Sequence, residues 1–438
     1  MPRPTTHGRN RFRAMADHRQ LPCQPLEPRR MLAGDFFVVN GTEGDDQIHI
    51  EVSGPLVVAD VNGTVTSTPD ADVFGILVNA LGGNDQIALD SNSDNSTTLN
   101  GGAGDDRIIL APASQQMSDI EAFVMVNGDT GIDLLKLNDA NETVGVNYQI
   151  TAPFIGRSNG DGILPRVEQL DVAAGSGPDL LSLGIAGPVA LNTGAGTDIV
   201  DITETGISGA GITMSPSTGD DVVGVNTDDS GVSTLTLVAQ RLGSLTVHEG
   251  GRVRLVEAAD TTVLRTGSLV VQRPGFLDVA DNHVIVDYTG PSPLPAIRAA
   301  LTGGYAGGAW IGGGINSSIA AVTGNTALGY AEASDIFTTF PATFVDQQVD
   351  DMAVLIRHTF YGDANLSGNV GLDDFNALAA NFGMTGRQWF QGDFDFNGNV
   401  NLSDFNLLAE NFGAARAGAG TSLFTGTRVT DDDSVEQV

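Results

Sequence analysis

One short pattern recurs through the first half of the chain and limits the folds open to it. A glycine-rich turn is followed by an aspartate and then by aliphatic residues, as in GGAGDDRII. The aspartates of these cassettes are Asp46, Asp85, Asp106, Asp133, Asp179, Asp198 and Asp221. They lie 39, 21, 27, 46, 19 and 23 residues apart, close to one or two units of about 20 residues. A short period of this kind is typical of a solenoid, in which each coil buries its apolar edge against its neighbours.

The segments after the cassettes carry the period of β-strands. Ile48, Ile50 and Val52 alternate with polar residues. Beyond Asp221 the cassette fades, but short strand-like segments such as RVRLVEA and HVIVDY continue. The sequence therefore predicts a mainly β chain whose body, residues 35–290, is a right-handed β-solenoid of the β-helix type. Glycine is expected at the coil corners, where a positive φ is needed.

The charge and the cysteine content limit the partners. The chain has 54 acidic and 21 basic residues and a net charge of -33. Such a surface disfavours nucleic acids and anionic membranes, which are polyanions, and favours cations. No run of about 18 apolar residues is present, so no membrane span is predicted. Cys23 is the only cysteine, which leaves oxygen ligands and a hard cation as the means of stabilising the body by a metal.

Residues 1–34 are predicted to be a leader rather than part of the fold. Residues 1–33 hold seven arginines against two acidic residues, and residues 24–34 read QPLEPRRMLAG. The stretch from Leu26 to Leu32 resembles the LEPR-type motif near the N-termini of many exported planctomycete proteins, where it follows a basic leader. The resemblance implies export from a bacterium to the cell surface or the extracellular space. The alternatives are a disordered basic tail and a start codon placed too early.

One cassette matches a calcium-binding repeat in full. Gly101 to Ile109 fits the nonapeptide G-G-x-G-x-D-x-U-x. It resembles the repeats of the RTX (hemolysin-type) family, whose β-roll binds calcium between successive turns. RTX repeats run in tandem, whereas these cassettes stand apart, so a neighbouring coil must complete any site for an ion that needs about six to eight oxygens. Two interpretations stay open, namely structural corner turns and calcium sites centred on Asp85, Asp105 and Asp106.

The strongest signal is a duplicated loop in residues 362–413. Residues 362–383 and 392–413 match at 14 of 22 positions and lie 30 residues apart. Each begins with an EF-hand-type loop, which places oxygen ligands at positions 1, 3, 5, 7, 9 and 12 and glycine at position 6. Two calcium ions are therefore predicted. Their predicted ligands are Asp363, Asn365, Ser367, the Asn369 carbonyl and Asp374 in the first loop, and Asp393, Asp395, Asn397, the Asn399 carbonyl and Asp404 in the second.

A short helix is predicted after each loop. The apolar residues expected on one face of each helix are Phe375, Leu378 and Phe382, and then Phe405, Leu408 and Phe412. Gly383 and Gly413 are the expected C-terminal stops. Val370 and Val400, at position 8, are expected to join the two loops by a short β link.

This loop–helix duplication, with aspartate at position 12, resembles a type I dockerin, a module that binds cohesin domains in extracellular assemblies. The resemblance implies calcium binding and a protein partner. Dockerins that bind cohesins usually carry a small hydroxyl pair at loop positions 10 and 11. Here these positions hold Leu372 and Asp373 in the first loop and Leu402 and Ser403 in the second, so the partner is cohesin-like or another protein.

Two further segments flank the duplicated loops. Residues 291–361 are predicted to be a connecting α+β module in which PAIRAALTGGY forms a helix ended by Gly303 and Gly304, and MAVLIRHTFYG a buried strand. The segment resembles a module that precedes calcium repeats in exported planctomycete proteins, and no activity is implied. Trp310 is expected to be a core or interface anchor rather than a sugar platform. Residues 414–438 are predicted to be a flexible acidic tail.

No catalytic constellation is evident in the sequence. There is no HExxH motif and no G-x-S-x-G motif, and Arg252 and Arg254 are expected to form ion pairs on a solvated strand face. The predicted function is that of a secreted or cell-surface calcium-binding protein, a non-catalytic structural or adhesion arm with a docking module. The alternatives are a polysaccharide hydrolase or lyase on a β-helix with an appended dockerin, and a surface-layer component that calcium cross-links.

Overall fold

The structure is a computed structural model that describes residues 35–184, 187–203, 211–227 and 232–416. The predicted leader, with its LEPR-type motif and Cys23, lies outside the described residues, as does the predicted acidic tail from residue 417 onward.

Two large sheets dominate the described chain, with strands numbered here in chain order. The first sheet has 15 strands, in the spatial order β1 (Asp35–Asn40), β5 (Val73–Gly82), β7 (Ser96–Ala103), β9 (Val124–Thr130), β13 (Ile163–Arg166), β12 (Phe154–Arg157), β11 (Asn147–Thr151), β15 (Leu180–Gly184), β17 (Ile199–Ile202), β19 (Val222–Val225), β21 (Arg241–Val247), β23 (Val263–Val271), β25 (His283–Asp287), β30 (Ala353–Phe360) and β27 (Thr326–Glu332). The second sheet has 13 strands, in the order β26 (Gly314–Asn316), β24 (Phe276–Asp278), β22 (Gly251–Leu255), β20 (Ser233–Leu237), β18 (Ile212–Met214), β16 (Val189–Asn192), β14 (Gln169–Ala173), β10 (Leu134–Asn138), β8 (Arg107–Leu110), β6 (Gln86–Leu89), β2 (Gln47–Ser53), β3 (Leu56–Val61) and β4 (Thr64–Pro69).

The remaining elements are short. A hairpin joins β28 (Ala342–Phe344) and β29 (Gln347–Val349). The α-helices are α1 (Leu294–Tyr305), α2 (Ser318–Thr323), α3 (Ala333–Ile336), α4 (Leu372–Asn381) and α5 (Leu402–Asn411). The prediction of a mainly β chain is confirmed, and its large sheets are mostly parallel.

The core lies between the sheets because successive strands alternate between them and stack in register. In the first sheet Val78 lies beside Leu99, which lies beside Val126. In the second sheet Ile87 lies beside Ile108 in the same way. All five side chains are fully buried and belong to one continuous apolar cluster. Burial of each such side chain away from water contributes about 1.5–3 kcal/mol to the free energy of unfolding.

The two long intervals between cassettes contain antiparallel excursions. Between Asp46 and Asp85 the chain adds β3 and β4, which pair antiparallel beside β2. Between Asp133 and Asp179 it adds β12, which is antiparallel to β13, and β11, which is antiparallel to β12. The 39-residue interval is therefore lengthened by an antiparallel insertion and does not contain two regular units.

The connecting segment closes one end of the stack. Antiparallel β30 and β27 extend the first sheet beyond β25, and β30 is the buried strand predicted from MAVLIRHTFYG. The predicted helix stop at Gly303 and Gly304 is wrong, since α1 continues to Tyr305. Glycine is needed at 304 because a Cβ there would lie 1.8 Å from the carbonyl oxygen of Ile315.

Candidate metal centre

The two predicted metal loops fold alike, each as the cap of a helix. Asp374 lies in the first turn of α4, where its Oδ1 accepts a hydrogen bond of 2.9 Å from the N–H of Ala364 and its Oδ2 one of 2.8 Å from Gly371. Asp404 of α5 accepts in the same way from Phe394, at 2.8 Å, and Asn401, at 2.9 Å. A carboxylate near a helix N-terminus is favoured by the free N–H groups there. Backbone N–H groups of each loop thus fix the residue at position 12.

In each loop, the backbone N–H of the glycine at position 6 holds the aspartate at position 1. The N–H of Gly368 donates to Asp363 Oδ2 at 2.8 Å. The N–H of Gly398 donates to both carboxylate oxygens of Asp393, at 3.0 Å each. Gly368 and Gly398 have φ values of 85° and 79°, a left-handed conformation that favours glycine. Both glycines thus make the sharp turn that an EF-hand-type loop needs at position 6.

Three carboxylates of the second loop converge. One oxygen each from Asp393, Asp395 and Asp404 lies within 4.8 Å of the other two. Among the described residues this is the only such group of three potential ligands from acidic, histidine or cysteine side chains. The first loop has only two carboxylates at ligand positions, Asp363 and Asp374, because Asp373 occupies the non-ligating position 11. The arrangement of the second loop can hold a metal ion.

Burial makes the carboxylates of both loops costly to ionise. Asp363 and Asp393 have no exposed surface. Burial raises the pKa of Asp363 to about 6, and the charge of Asp374 adds to the effect. Burial raises the pKa of Asp393 to about 6 in the same way, with a contribution from Asp404. A bound cation would reverse this shift, because an opposite charge favours the ionised form.

The remaining predicted ligands lie at the surface of the loops. Asn365 and Ser367 are exposed in the first loop, as are Asn397 and Asn399 in the second. Asn365 Oδ1 accepts from the N–H of Ser367 at 3.0 Å, and Asp395 Oδ1 accepts from the N–H of Asn397 at 3.1 Å. All the donor atoms are oxygens, the ligand type that hard cations such as calcium and magnesium prefer.

The two repeats are joined crosswise. Val370 of the first loop exchanges hydrogen bonds with Gly413 and Ala414, which follow α5. Val400 of the second loop pairs with Gly383 and Met384, which follow α4. The predicted direct link between Val370 and Val400 is therefore wrong, since each loop pairs instead with the end of the other repeat's helix.

The helix faces only partly match the prediction. Leu378 and Leu408 are buried, and the rings of Phe375 and Phe405 meet edge to face at 6.5 Å. Phe382 and Phe412 lie just beyond the helices and are 53% and 57% exposed, with Leu372 and Leu402 at 65% and 63%. Four large apolar side chains of the module therefore lie in solvent.

An aromatic cluster attaches the loops to the connecting segment. Phe396, at position 4 of the second loop, packs against the rings of Tyr305, Trp310 and Tyr330 at 5.0, 5.7 and 5.8 Å. Trp310 is buried and donates a hydrogen bond of 2.8 Å to the Tyr361 hydroxyl, so it lies in the core as predicted.

Other contacts were not apparent from the sequence. The indole N–H of Trp389, between the repeats, donates to the Asp363 carbonyl at 2.7 Å. Arg298 Nη2 lies 3.2 Å from Asp393 Oδ2, and Arg357 Nη1 donates to the Leu366 carbonyl at 2.6 Å. Trp389 could have been singled out from the sequence, because it is a large aromatic residue between two metal loops. Arg298 could not, because it lies 95 residues from its partner.

The cassette aspartates form two rows along the stack. In the first, the N–H of Asp46 donates to Asp85 Oδ1 at 2.7 Å, Asp85 to Asp106 at 2.8 Å, and Asp106 to Asp133 at 2.9 Å. The row ends where Asp133 donates to Glu168 Oε2 at 2.9 Å. Each of these N–H groups is thereby satisfied by the next carboxylate of the row, which makes the row a structural feature.

The second row lies at a different corner. Asp179, Asp198 and Asp221 precede strands of the 15-stranded sheet, whereas the first row precedes strands of the 13-stranded sheet. The N–H of Asp179 donates to Asp198 Oδ1 at 2.8 Å, and that of Asp198 to Asp221 Oδ1 at 3.1 Å. The seven cassettes therefore do not all lie at the same corner.

Of the three possible calcium residues of the body, Asp85 and Asp106 belong to the first row and Asp105 does not. Asp105 is exposed, and its Oδ1 accepts from the N–H of Ile132 at 2.9 Å. The Oδ2 atoms of Asp85 and Asp106 are buried with no hydrogen-bond partner among the described residues. Burial raises the pKa of Asp106 to about 6, with added repulsion from Asp85 and Asp133. Asp85, Asp105 and Asp106 are not brought together as a group of three potential ligands in the described structure.

The basic strand face of the body forms ion pairs. Arg254 Nη2 lies 2.8 Å from Glu257, and its Nε lies 3.6 Å from Asp278. Both Arg254 and Glu257 are about half exposed, so the contribution to stability is small. The expectation of a solvated face with ion pairs is confirmed for Arg254.

The comparisons with known proteins give no family. No protein-family model matches the chain, and neither a curated protein nor a solved structure matches it. Within the described residues, no helix is long and apolar enough to cross a membrane.

Proposed function

We propose that this chain is an exported, calcium-dependent structural or adhesion protein, with a β-solenoid arm and a C-terminal module that binds two calcium ions and a protein partner. The observation that carries the proposal is the carboxylate group of Asp393, Asp395 and Asp404, within 4.8 Å, in a loop whose hydrogen-bond pattern recurs 30 residues earlier.

Calcium suits the loops better than a transition metal. The predicted ligands are all oxygens, and cysteine and histidine are absent from residues 362–413. The loop spacing is that of an EF-hand, which supplies the many oxygens that calcium takes in a flexible geometry. A cation also balances carboxylates that burial otherwise disfavours as anions.

The arrangement of the body supports a solenoid arm. Strands alternate between two sheets, and most pairs are parallel from one coil to the next. The carboxylate rows tie neighbouring coils together at their corners. Such an elongated stack presents a large surface without needing a catalytic cleft.

Exposed apolar side chains support a protein partner for the module. Phe412 directly precedes Gly413, whose N–H donates to the Val370 carbonyl of the first loop, and it is exposed. Phe382 precedes Gly383, which bonds to Val400 of the second loop, and it is exposed as well. Large exposed apolar side chains are typical of interaction sites where they form a patch. In this proposal calcium holds the loops in the form that presents these side chains.

The test is a calcium titration of the full chain by calorimetry, after treatment with a chelator. Two ions should bind per chain. Asp393→Ala should abolish one of them, since the first loop position supplies a carboxylate. The matched control is Asp373→Ala, which removes an exposed acidic residue at the non-ligating position 11 and should leave both. Absence of calcium binding, or equal binding by Asp393→Ala, would overturn the proposal.

A further inference from the structure

A cleft of about 730 Å³ opens beside the first loop. This volume lies within the range typical of small-ligand sites, about 300–1,000 Å³. The first loop forms one wall through Asn365, Ser367, Asn369 and Asp374. None of the predicted ligands of the second loop is among the described residues that line it. The two loops therefore differ in their surroundings, although they share one backbone pattern.

Outside the first loop, charged side chains and aromatic rings line the cleft. These are Arg357, Arg416, Asp260 and Asp346, with Phe337 and Phe344, and Arg416 forms an ion pair with Asp260. The Nε of Arg357, and the Nε and Nη1 of Arg416, have no acceptor among the described residues. Guanidinium groups form their strongest hydrogen bonds with carboxylates and pack well on aromatic faces. Arg357 lies 6.0 Å from the centre of the Phe344 ring.

The two loops also differ at position 9. Gly371 occupies it in the first loop and Asn401 in the second, with φ values of -140° and -146°. A Cβ on Gly371 would meet nothing within 4 Å, so neither strain nor a clash requires glycine there. Gly371 lines the cleft. The first loop therefore lacks a side-chain ligand at the point where it faces the cleft.

The number of oxygen ligands in the first loop leaves room for a ligand from the cleft. The first loop offers side-chain oxygens from Asp363, Asn365, Ser367 and Asp374, and the carbonyl of Asn369. Calcium takes about six to eight oxygens, so at least one must come from outside the loop unless Asp374 binds through both of its oxygens. An oxygen that enters from the cleft can be part of a ligand as well as of water.

We propose that the first loop and this cleft form a binding site for a small carboxylate-bearing molecule with an apolar or ring-shaped body. The inference rests on the calcium binding proposed above. A carboxylate oxygen completes the shell of the calcium ion on the side of Gly371. Arg357 balances the added negative charge, and Phe337 contacts the body of the ligand. The second loop, with three carboxylates and Asn401, is a purely structural site.

Calorimetry on the full chain, in calcium and in chelator, tests this site. The probes are galacturonate and phenylacetate, each with an uncharged counterpart, galactose and 2-phenylethanol. At least one acid should bind in calcium and not in chelator, and its uncharged counterpart should not bind. Failure of both acids to bind, or equal binding of an acid in chelator, overturns the inference.

Two mirrored variants sharpen the test. Gly371→Asn gives the first loop its own ligand, so it should bind calcium at least as tightly but bind the acid about tenfold more weakly. Asn401→Gly makes the reverse change in the second loop and should leave acid binding unchanged. Phe337→Ala should weaken acid binding without altering the calcium count. Unchanged acid binding by Gly371→Asn contradicts the proposed geometry.

The same titrations separate this inference from the function on which it rests. If two calcium ions bind and neither acid does, only the carboxylate site is wrong. If no calcium binds, both proposals fail.

Discussion

The guanidinium of Arg298 lies 3.2 Å from the buried carboxylate of Asp393, across a separation of 95 residues. Arg298 belongs to α1 of the connecting segment, and Asp393 is the first predicted ligand of the second loop. The same guanidinium nitrogen donates to the Arg387 carbonyl at 2.7 Å. The second loop is therefore held to the connecting segment by the same side chain that balances its charge. Metal binding and attachment of the module should depend on one another.

Arg298→Gln should destabilise the calcium-free protein more than the calcium-bound protein. Without the guanidinium, Asp393 loses its cationic neighbour, and calcium can supply the missing positive charge. Loss of a hydrogen bond to a charged group lowers the free energy of unfolding by about 1.5–3 kcal/mol. The loss should be smaller here because the Arg298 side chain is partly exposed to water. Denaturant unfolding in chelator and in calcium, followed by tryptophan fluorescence, measures the difference. Trp310 and Trp389 are the only tryptophans, and both are buried at this junction.

Arg254→Gln is the control for this change. It removes an arginine from an ion pair with Glu257 in which both side chains are about half exposed. Such pairs contribute about 0–1 kcal/mol, so its effect should be small and independent of calcium. An equal loss of stability by Arg298→Gln in calcium and in chelator would contradict the coupling.

The positions of the metal ligands could be predicted from the sequence, whereas their attachment to the rest of the protein could not. Asp363 and Asp374, or Asp393 and Asp404, belong to one loop, and their spacing is a local property of the chain. Arg298 meets Asp393 only after the connecting segment has folded back, and no periodicity records that contact.

The aspartate rows of the body could also be predicted only in part from the sequence. Glu168 continues the first aspartate row but replaces the expected aspartate, and no glycine turn precedes it. The change to the second corner falls within the interval between Asp133 and Asp179, where β11 and β12 are inserted. The 46 residues between Asp133 and Asp179 are close to two units of about 20 residues. They contain inserted strands and a change of sheet, which the spacing alone does not reveal.

Asp198→Asn should make the body more stable near neutral pH. Burial, with the charges of Asp221 and Asp179, raises the pKa of Asp198 to about 7. A raised pKa means that the folded state favours the protonated acid. The protonated Asp198 carboxyl stabilises the folded state fully below pH 3.8, the pKa of this group in the unfolded chain. This contribution is lost as the pH rises through about 7, its pKa in the folded state. Asparagine keeps an oxygen acceptor for the N–H of Asp179 and stays neutral at every pH.

Thermal unfolding between pH 4 and pH 8 measures this effect. Asp198→Asn should gain on the order of 1–3 kcal/mol over the native chain at pH 8 and show a flatter pH profile. Asp94→Asn, at an exposed position, should follow the native profile. A native profile that rises steadily from pH 4 to pH 8, with no gain for Asp198→Asn, is inconsistent with a buried acid row.

Gly101→Ala should destabilise the first row. A Cβ at this position would lie 2.2 Å from Asp106 Oδ2, so either the carboxylate or the backbone must move. Overpacking of this kind costs about 1–3 kcal/mol. Gly44→Ala is the control, because the nearest atom to its Cβ would be 3.9 Å away. Denaturant midpoints of the two variants give the comparison, and equal midpoints would show that the corner is not tightly packed.

Leu372→Ser and Leu402→Ser together should leave calcium binding and stability nearly unchanged, because both side chains are more than 60% exposed. If these residues belong to the partner surface, the double variant should lose binding to that partner. Calorimetry with calcium and chemical unfolding check the first expectation. A large loss of stability would show that the two leucines are needed for the fold rather than for recognition.

The most direct test of the whole account is a crystal structure grown in calcium, with the ions counted by their anomalous signal. The account predicts one ion in each loop, bound by Asp363 and Asp374 in the first and by Asp393, Asp395 and Asp404 in the second. No ion is expected at Asp85, Asp105 and Asp106, which are not brought together as a group of three potential ligands in the described structure. Empty loops under saturating calcium would contradict the account.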